Sequence, residues 1–331
     1  MSSALTVEPR AKATGPSLLA RLLGNTEVPL GLLIVIAVLT FTAINPVFFS
    51  IENAQTIFRA VAFVGIIAVG MTLLLISGKF DLSVGSVAAL GAVSAGQFMN
   101  IGVPTWLAVV GGLLVSAAVG AVNAFLTLWL RIPVLIVTLG TLYIARGLAL
   151  VITNGLAVRG LTDEFKQAGQ AELLNLPYSV WIFLALTVIA LVVLKFTPYG
   201  RYLYSSGGNE EAARLAGIRV RAVQAGTFVL VSTLSGLAGI LIMARIESGQ
   251  PTIGQGYELS VLAACVVGGV SLFGGKGTIS GMFLGVIFVQ VISVGLVLAK
   301  VNPTLQQVGV GLALLVAIVV DVVRSQRGLG R

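Results

Sequence analysis

Few side chains of this protein could do chemistry on their own. The sequence contains no histidine and a single cysteine, Cys265. A metal site built from cysteine and histidine, and a framework of disulfides, are therefore both excluded. The usual general base at neutral pH is missing as well. We predict no catalytic residues and no metal ligands, and we do not expect the chain to be an enzyme.

One stretch resembles a phosphate-binding loop but lacks its essential positions. Residues 274–278 read GGKGT. The phosphate loop needs Ser or Thr directly after the Lys and a Gly five residues before the second Gly. Those two positions hold Gly277 and Val270. We therefore expect the chain to bind no cofactor of its own, so that energy for any driven process must come from another chain.

The informative polar residues are those that interrupt apolar stretches. Asp81 is followed by Ser83 and Ser86, so it could cap the next helix, or it could lie in a translocation path, because ionisable groups at membrane depth often mark such paths. We place the segment 79–86 at the inner face of the membrane. Asn123 is a polar residue within an otherwise apolar run and is a second candidate for the path.

Two further candidates lie toward the opposite side of the membrane. Arg146 precedes the end of an apolar run by seven residues and could extend its charge to the outer headgroups, pair with a carboxylate, or act at a pathway mouth. Glu258 ends the segment 247–258, which contains Pro251 and three glycines. This segment is either a plain connector or a docking surface and outer gate.

These residues lie on helices that the composition assigns to a membrane. Of the 331 residues, 57% are apolar and only 10% are charged, whereas soluble domains average ~45–50% and ~25%. Because one spanning helix takes ~20 residues, the sequence predicts an all-α, polytopic membrane bundle of about ten transmembrane helices. The predicted spans lie at 28–51, 59–79, two within 82–130 with a turn near 100–104, and then 132–153, 177–194, 222–244, 259–275, 277–299 and 305–320.

The distribution of basic residues predicts the orientation. With the N-terminus inside, 14 of the 20 Lys and Arg residues fall on inner segments and six on outer ones, as the positive-inside rule requires. The sequence therefore predicts a cytoplasmic tail at 1–27, a transmembrane domain at 28–321 and a second cytoplasmic tail at 322–331. The net charge of +8 is explained by inner loops, so no nucleic-acid partner is expected.

The loop at 195–221 is unlike the other connections because it contains signals for a short helix. Asn209 is a good N-cap, Glu210 and Glu211 favour the first turn, and Gly217 can end the helix. Its predicted apolar face consists of Ala212, Leu215 and Ala216. Two turns of helix are not stable alone in water. The helix must therefore lie either on its own bundle or in a groove of a cytoplasmic partner.

Four stretches resemble the permease subunits of bacterial ABC importers for sugars of the ribose, xylose and arabinose type. They read SGKFDLSVGS at 77–86, IPVLIVTLGTLYIARGLALVITNG at 132–155, TPYGRYLYSSGGNEEAARLAGI at 197–218 and GQPTIGQGYELSVLAACVVGGVSLFGGKGTISG at 249–281. The resemblance departs at Lys79-Phe80, where the family usually has a small apolar pair, and at Ser260, where an acidic residue is common.

The resemblance implies partners and a coupling site. It implies a separate ATPase subunit that uses ATP and Mg²⁺, an extracytoplasmic sugar-binding protein, a second permease chain and location in the bacterial inner membrane. By the same resemblance, the ATPase-coupling residues are Gly208, Asn209, Glu210, Glu211, Ala212, Ala213, Arg214, Leu215 and Gly217.

The expected function is therefore import of a monosaccharide or polyol, driven by ATP hydrolysis in partner subunits. The rival interpretation is a secondary transporter driven by protons or sodium ions. Proton relays within membranes usually employ Asp, Glu or His, and we count no histidine and no acid in the middle of a predicted span. This composition favours the ATP-driven importer.

Overall fold

The computed structural model describes residues 27–302 together with Leu305, Val308 and Gly311. The predicted span at 305–320 and most of both predicted tails lie outside the described residues. Within them the protein is an all-α membrane bundle. Its helices are α1 (Glu27–Ile44), α2 (Ile51–Ile76), α3 (Val84–Asn100), α4 (Thr105–Leu128), α5 (Val134–Thr153), α6 (Asp163–Gln170), α7 (Tyr178–Phe196), α8 (Pro198–Gly208), α9 (Glu210–Leu215), α10 (Val220–Ile246), α11 (Tyr257–Val267) and α12 (Ile279–Leu298).

Two minor elements complete the described fold. A 3₁₀ helix, Pro46–Phe49, follows α1, and a two-stranded antiparallel hairpin of β1 (Glu172–Leu173) and β2 (Leu176–Pro177) precedes α7. In the hairpin, Glu172 pairs with Pro177 and Leu173 pairs with Leu176.

Seven of the described helices are long and apolar enough to cross a membrane, namely α1, α2, α4, α5, α7, α10 and α12. They correspond to seven of the predicted spans, so the polytopic all-α class is confirmed. The total of ten spans and the cytoplasmic location of both termini remain predictions.

Several predicted spans have different bounds in the structure; the second, for example, begins at Ile51 rather than at residue 59. The first ends at Ile44 rather than at residue 51, because the side chain of Asn45 accepts a hydrogen bond from Val47 N and Pro46 begins the 3₁₀ helix. The third is α3, of 17 residues. The predicted span at 259–275 is helical only in α11, which has 11 residues and ends before Gly269, a residue with φ of +84°.

Helices α2 and α10 form the centre of the bundle. In the most apolar window of α2, 89% of residues are buried, against 67% in α10 and 11% in α1. Close packing depends on glycines, as is usual for helices in lipid. A Cβ at Gly112 would lie 2.5 Å from the carbonyl oxygen of Gly91, and one at Gly120 would lie 2.6 Å from that of Phe228. Larger side chains at these positions would push the helices apart.

Long-range contacts define the two ends of the bundle. At one end, which we name the α8–α9 end (residues 76–79, 197–219 and 270–278), Gly275 N donates to Ile76 O at 2.9 Å. At the other, the α6 end (residues 45–55, 154–177 and 246–250), Val158 and Gly249 form an antiparallel bridge. The predicted orientation assigns the α8–α9 end to the cytoplasm.

Candidate functional site

Asp81 lies in the non-helical segment that separates α2 from α3. Its side chain is completely buried. Its Oδ1 accepts hydrogen bonds from the backbone N–H of Ser83 at 2.7 Å and from the Ser83 hydroxyl at 2.6 Å. The carboxylate therefore closes a local turn before α3, and it does not cap the helix itself, whose N-cap residue is Ser83. Asp81 follows residues 76–79 of the α8–α9 end, and the bundle encloses its side chain; its position at the inner face remains a prediction.

Asn123 of α4 connects this carboxylate to α5. Its Nδ2 donates to Asp81 Oδ2 at 3.1 Å and to Ser83 Oγ at 3.0 Å, while its Oδ1 accepts from the Thr141 hydroxyl at 2.6 Å. Asn123 lies five residues before the end of α4, which is roughly 7–8 Å along the helix axis. A buried carboxylate is costly unless it is hydrogen-bonded, and this network supplies the partners. Asp81 and Asn123 are brought together, but neither faces an open surface.

The burial of this carboxylate could not be predicted from the sequence. We counted no acid in the middle of a predicted span, and Asp81 lies between α2 and α3, outside both helices. A break in the helix pattern reads as a loop, and loops usually lie at the protein surface. Here the break is enclosed by the rest of the bundle, where irregular backbone is tolerated.

Arg146 of α5 fixes a second irregular segment to the bundle. Its Nη1 donates to the carbonyl oxygens of Pro251 and Ile253, at 2.5 and 2.9 Å. The guanidinium group is therefore directed at backbone carbonyls. The first of our three alternatives required it to point at the lipid headgroups, and it does not. Its hydrogen-bond partners are carbonyl groups, which no sequence pattern within α5 could reveal.

Glu258 lies in the first turn of α11 and is half-buried. A Cβ at Gly85 would lie 2.5 Å from Glu258 Oε2 and would also collide with the carbonyl oxygen of Gly254. The start of α3 therefore meets the backbone of Gly254, just before α11, and the side chain of Glu258. Through this contact the irregular segment before α3 meets the one before α11. Glu258 lies beside Gly85, and Asp81 precedes Gly85 by four residues.

The predicted short helix is present as α9. Asn209 Oδ1 accepts from Ala212 N at 2.9 Å, Glu210 and Glu211 occupy the first turn, and Gly217 has φ of +85°. Its apolar face is nevertheless exposed. Only Ala213 is buried, whereas Leu215 is 80% exposed. The helix therefore does not rest its predicted apolar face, Ala212, Leu215 and Ala216, on its own bundle.

Sequence reasoning missed α8, the helix directly before α9. Its signal is the pair Thr197-Pro198, since the Thr197 hydroxyl accepts from Gly200 N and Pro198 occupies the first turn. The Tyr204 hydroxyl donates to the carbonyl oxygen of Gly277 at 2.7 Å. Burial raises the pKa of Tyr204, so the phenol stays protonated and remains a donor.

Further contacts join α8 to the centre of the bundle. The Tyr199 hydroxyl donates to Val223 O at 3.0 Å and lies 2.9 Å from the Thr227 hydroxyl. A Cβ at Gly207 would lie 2.6 Å from the backbone nitrogen of Gly275 and would collide with Ile76 O. Because Ile76 ends α2, α8 is packed directly against the segment that leads to Asp81.

A groove of about 960 Å³ opens beside α9. It lies between α9, the connection from α4 to α5 and the beginning of α10. Five basic and two acidic side chains line it: Lys79, Arg131, Arg214, Arg219, Arg221, Glu210 and Glu211. Lys79 and Glu210 form an ion pair of 3.6 Å across it. The remaining excess of positive charge complements an acidic surface.

The described residues offer no group of three or more Asp, Glu or Cys side chains that could hold a metal ion. What they offer is a membrane bundle with one exposed short helix and two irregular segments, of which the one at Asp81 is buried and the one at 251–258 is partly exposed. The class of protein that these features define is a polytopic, all-α membrane protein.

Comparisons with known proteins give the family. Residues 53–319 match the profile of a family described as the permease component of branched-chain amino acid transport systems, and the chain belongs to this permease family. It is 36% identical to the ribose import permease of Haemophilus influenzae over 296 aligned residues. The alignment covers 88% of this chain and 91% of that protein. No solved structure matches the chain.

Two further relatives carry different substrate names. The L-arabinose transport system permease of Escherichia coli is 41% identical over 294 residues, 88% of this chain and 89% of that protein. The autoinducer 2 import system permease of Photorhabdus laumondii is 35% identical over 280 residues, 85% of this chain and 84% of that protein. All three are transport permeases, which supports the importer interpretation over the ion-coupled one.

Proposed function

We propose that this chain is the membrane subunit of a binding-protein-dependent ABC importer for a monosaccharide or a similar polyhydroxylated solute in a bacterial inner membrane. The observation that carries this proposal is the similarity along 85–88% of the chain to permeases named for ribose, arabinose and autoinducer 2. The family description mentions branched-chain amino acids. An amino acid is a zwitterion that needs counter-charges, whereas a neutral sugar needs hydroxyl partners and stacking faces.

Energy enters, in this proposal, through α9. A separate ATPase subunit, which uses ATP and Mg²⁺, seats the coupling residues Gly208–Leu215 and Gly217. The 80% exposure of Leu215 supports this role, because an exposed apolar side chain on a capped helix gains most from burial in a partner. The basic groove beside α9 favours an ATPase surface that is acidic around an apolar pocket.

Movement of α9 is passed to the bundle through α8. The contact of Gly207 with Ile76 and Gly275, and the bond from Tyr204 to Gly277, support this step. A shift of α8 would then displace the segment that carries Asp81, and the hydrogen bonds of Asn123 would transmit the shift to α4 and α5.

The predicted pathway residues divide into two roles in this proposal. Asp81 and Asn123 are positioning residues, because both are fully buried and hydrogen-bonded. Arg146 and Glu258 hold the segment 251–258 as the outer gate. The binding protein delivers the sugar at the α6 end, and a second copy of the permease completes the transmembrane unit.

The test is uptake in proteoliposomes that contain the permease, its ATPase subunit and the binding protein. We expect uptake of radiolabelled ribose or arabinose that depends on internal ATP and stops when the ATPase is inactivated. Dissipating the proton and sodium gradients with ionophores should change nothing. Uptake that persists with an inactive ATPase and disappears with ionophores would establish the ion-coupled alternative.

A further inference from the structure

The exposed faces of the long helices differ in one respect that a membrane makes costly. Midway along α4 the exposed residues are apolar, as at Leu114, which is 64% exposed. Midway along α7 they are Val188 and Ile189, at 61% and 57%. Such faces are suited to lipid, since they contain no polar group that hydrocarbon would leave unsatisfied.

The exposed face of α5 contains a tyrosine at mid-span. Tyr143 is the tenth of the 20 residues of α5, and it is 75% exposed. The hydrocarbon core of a bilayer is ~30 Å thick, so a phenol at its centre cannot reach either interface. An unsatisfied hydroxyl in hydrocarbon is unfavourable. The position of Tyr143 therefore favours water or protein, and not lipid tails, beside this residue.

Polar groups lie one turn from Tyr143 on one side, although its neighbours Leu139 and Ile144 are exposed apolar residues. Arg146 lies one turn further along the same helix, and it holds the segment in which Thr252 and Gln255 are exposed and Glu258 is half-buried. Gly140 and Gly147 flank the tyrosine at one helical turn on either side, and a Cβ at either glycine would meet no atom within 4 Å. The helix surface is therefore open at both glycines.

We propose that the face of α5 at Gly140, Tyr143 and Gly147, together with the polar segment Thr252–Glu258, lines the water-filled route of the transported solute. Tyr143 supplies an aromatic face for the C–H side of a sugar ring, and its hydroxyl and the neighbouring polar side chains meet the sugar hydroxyls. The choice of a sugar as ligand rests on the proposed function, whereas the assignment of a water-filled route rests on the exposure of Tyr143.

Cysteine labelling tests the route directly, because the native Cys265 is fully buried and gives a low background. Tyr143→Cys is compared with Leu114→Cys, the tenth residue of α4, in the permease assembled with its ATPase subunit in membrane vesicles. The cysteine thiolate, which forms in water and not in lipid, attacks the methanethiosulfonate sulfur and displaces methanesulfinate. A charged methanethiosulfonate should label the Tyr143→Cys variant at least roughly tenfold faster than the Leu114→Cys variant.

Two labelling results would overturn the route. One is equally slow labelling of both variants, which would show that the α5 face contacts lipid. The other is a spontaneous disulfide between two chains carrying Tyr143→Cys, without labelling, which would assign the face to packing of the second permease chain.

Uptake of ribose and arabinose tests the role of the ring. We expect Tyr143→Phe to transport within about threefold of wild type and Tyr143→Ala to lose roughly tenfold in uptake at low sugar concentration, since only the second removes the stacking face. Normal uptake by Tyr143→Ala would remove the ring from the sugar site. If the wild-type complex takes up neither sugar, the proposed importer function fails, while fast labelling of the Tyr143→Cys variant still supports a water-filled route. If the complex takes up sugar but labelling is slow, only the route at Tyr143 is wrong.

Discussion

Helices α8 and α9 are neighbours in one predicted cytoplasmic segment, yet they are held in opposite ways. Helix α8 has a fully buried leucine, Leu203, two tyrosines hydrogen-bonded to other elements, and a glycine in backbone contact with the end of α2. Helix α9 buries only Ala213 and exposes Leu215. The difference separates two tasks within the segment. Helix α8 is packed into the bundle, whereas α9 leaves its apolar face exposed, as the proposed docking of an ATPase subunit requires.

The largest effect should come from filling the contact between α8 and α2. A Cβ at Gly207 collides with backbone atoms of Ile76 and Gly275, which cannot rotate away, whereas a Cβ at the adjacent Gly208 meets nothing within 4 Å. We expect Gly207→Ala to destabilise the bundle by about 3 kcal/mol, and Gly208→Ala to stay within about 0.5 kcal/mol of wild type. Membrane abundance and thermal unfolding in detergent measure the difference.

The same pair of variants can contradict the comparison. If Gly207→Ala unfolds at the wild-type temperature, α8 is not locked to the bundle. Loss of stability in Gly208→Ala to the same extent would show that both helices, and not α8 alone, depend on this contact.

A second variant tests α9 as a docking surface without touching the bundle. Leu215→Asp places a charge on the exposed apolar face, so the ATPase subunit should no longer co-purify and uptake should fall at least roughly tenfold, as for a buried anchor of an interface. Leu174→Asp is the matched control, because Leu174 has 79% exposure against 80% for Leu215 but lies at the α6 end. Both variants should unfold at the wild-type temperature.

If the Leu215→Asp variant still retains the ATPase subunit, α9 is not its docking site. Loss of the ATPase in both variants would point to a general effect of an added charge on assembly.

The contrast between the two helices also shows what sequence could predict. Helix α9 was predictable because its signals are local: a cap at Asn209, acids in the first turn and a left-handed glycine at Gly217. Helix α8 was missed because its residues, PYGRYLYSSGG, are poor helix formers. Its stability comes from tertiary contacts of Tyr199, Tyr204 and Gly207, which no local pattern encodes.

The same reasoning applies to the candidate pathway. The sequence predicted the importance of Asp81 and Arg146 from their charge within apolar surroundings. It could not predict their partners, since Asp81 meets Asn123 across 42 residues and Arg146 meets Pro251 across 105. Tyr143 carried no signal in the sequence, because its significance depends on which side of α5 is exposed at mid-span.

The smallest effect should come from removing one hydrogen bond that fixes α8. Tyr204→Phe deletes the bond to the Gly277 carbonyl and keeps the ring, whereas Tyr202→Phe alters a tyrosine on the same helix that is 41% exposed. We expect Tyr204→Phe to cost about 1 kcal/mol and to lower sugar uptake per ATP hydrolysed, with Tyr202→Phe unchanged in both.

Because burial raises the pKa of Tyr204, its neutral form is the one that the fold stabilises. This contribution is complete below the ordinary tyrosine pKa and is lost only as the pH rises through the raised value. The difference in stability between wild type and Tyr204→Phe should therefore stay constant from about pH 6 to pH 9, as measured by thermal unfolding in detergent. A difference that shrinks within this range would show that the phenol ionises early and that α8 is held mainly by Tyr199 and Gly207.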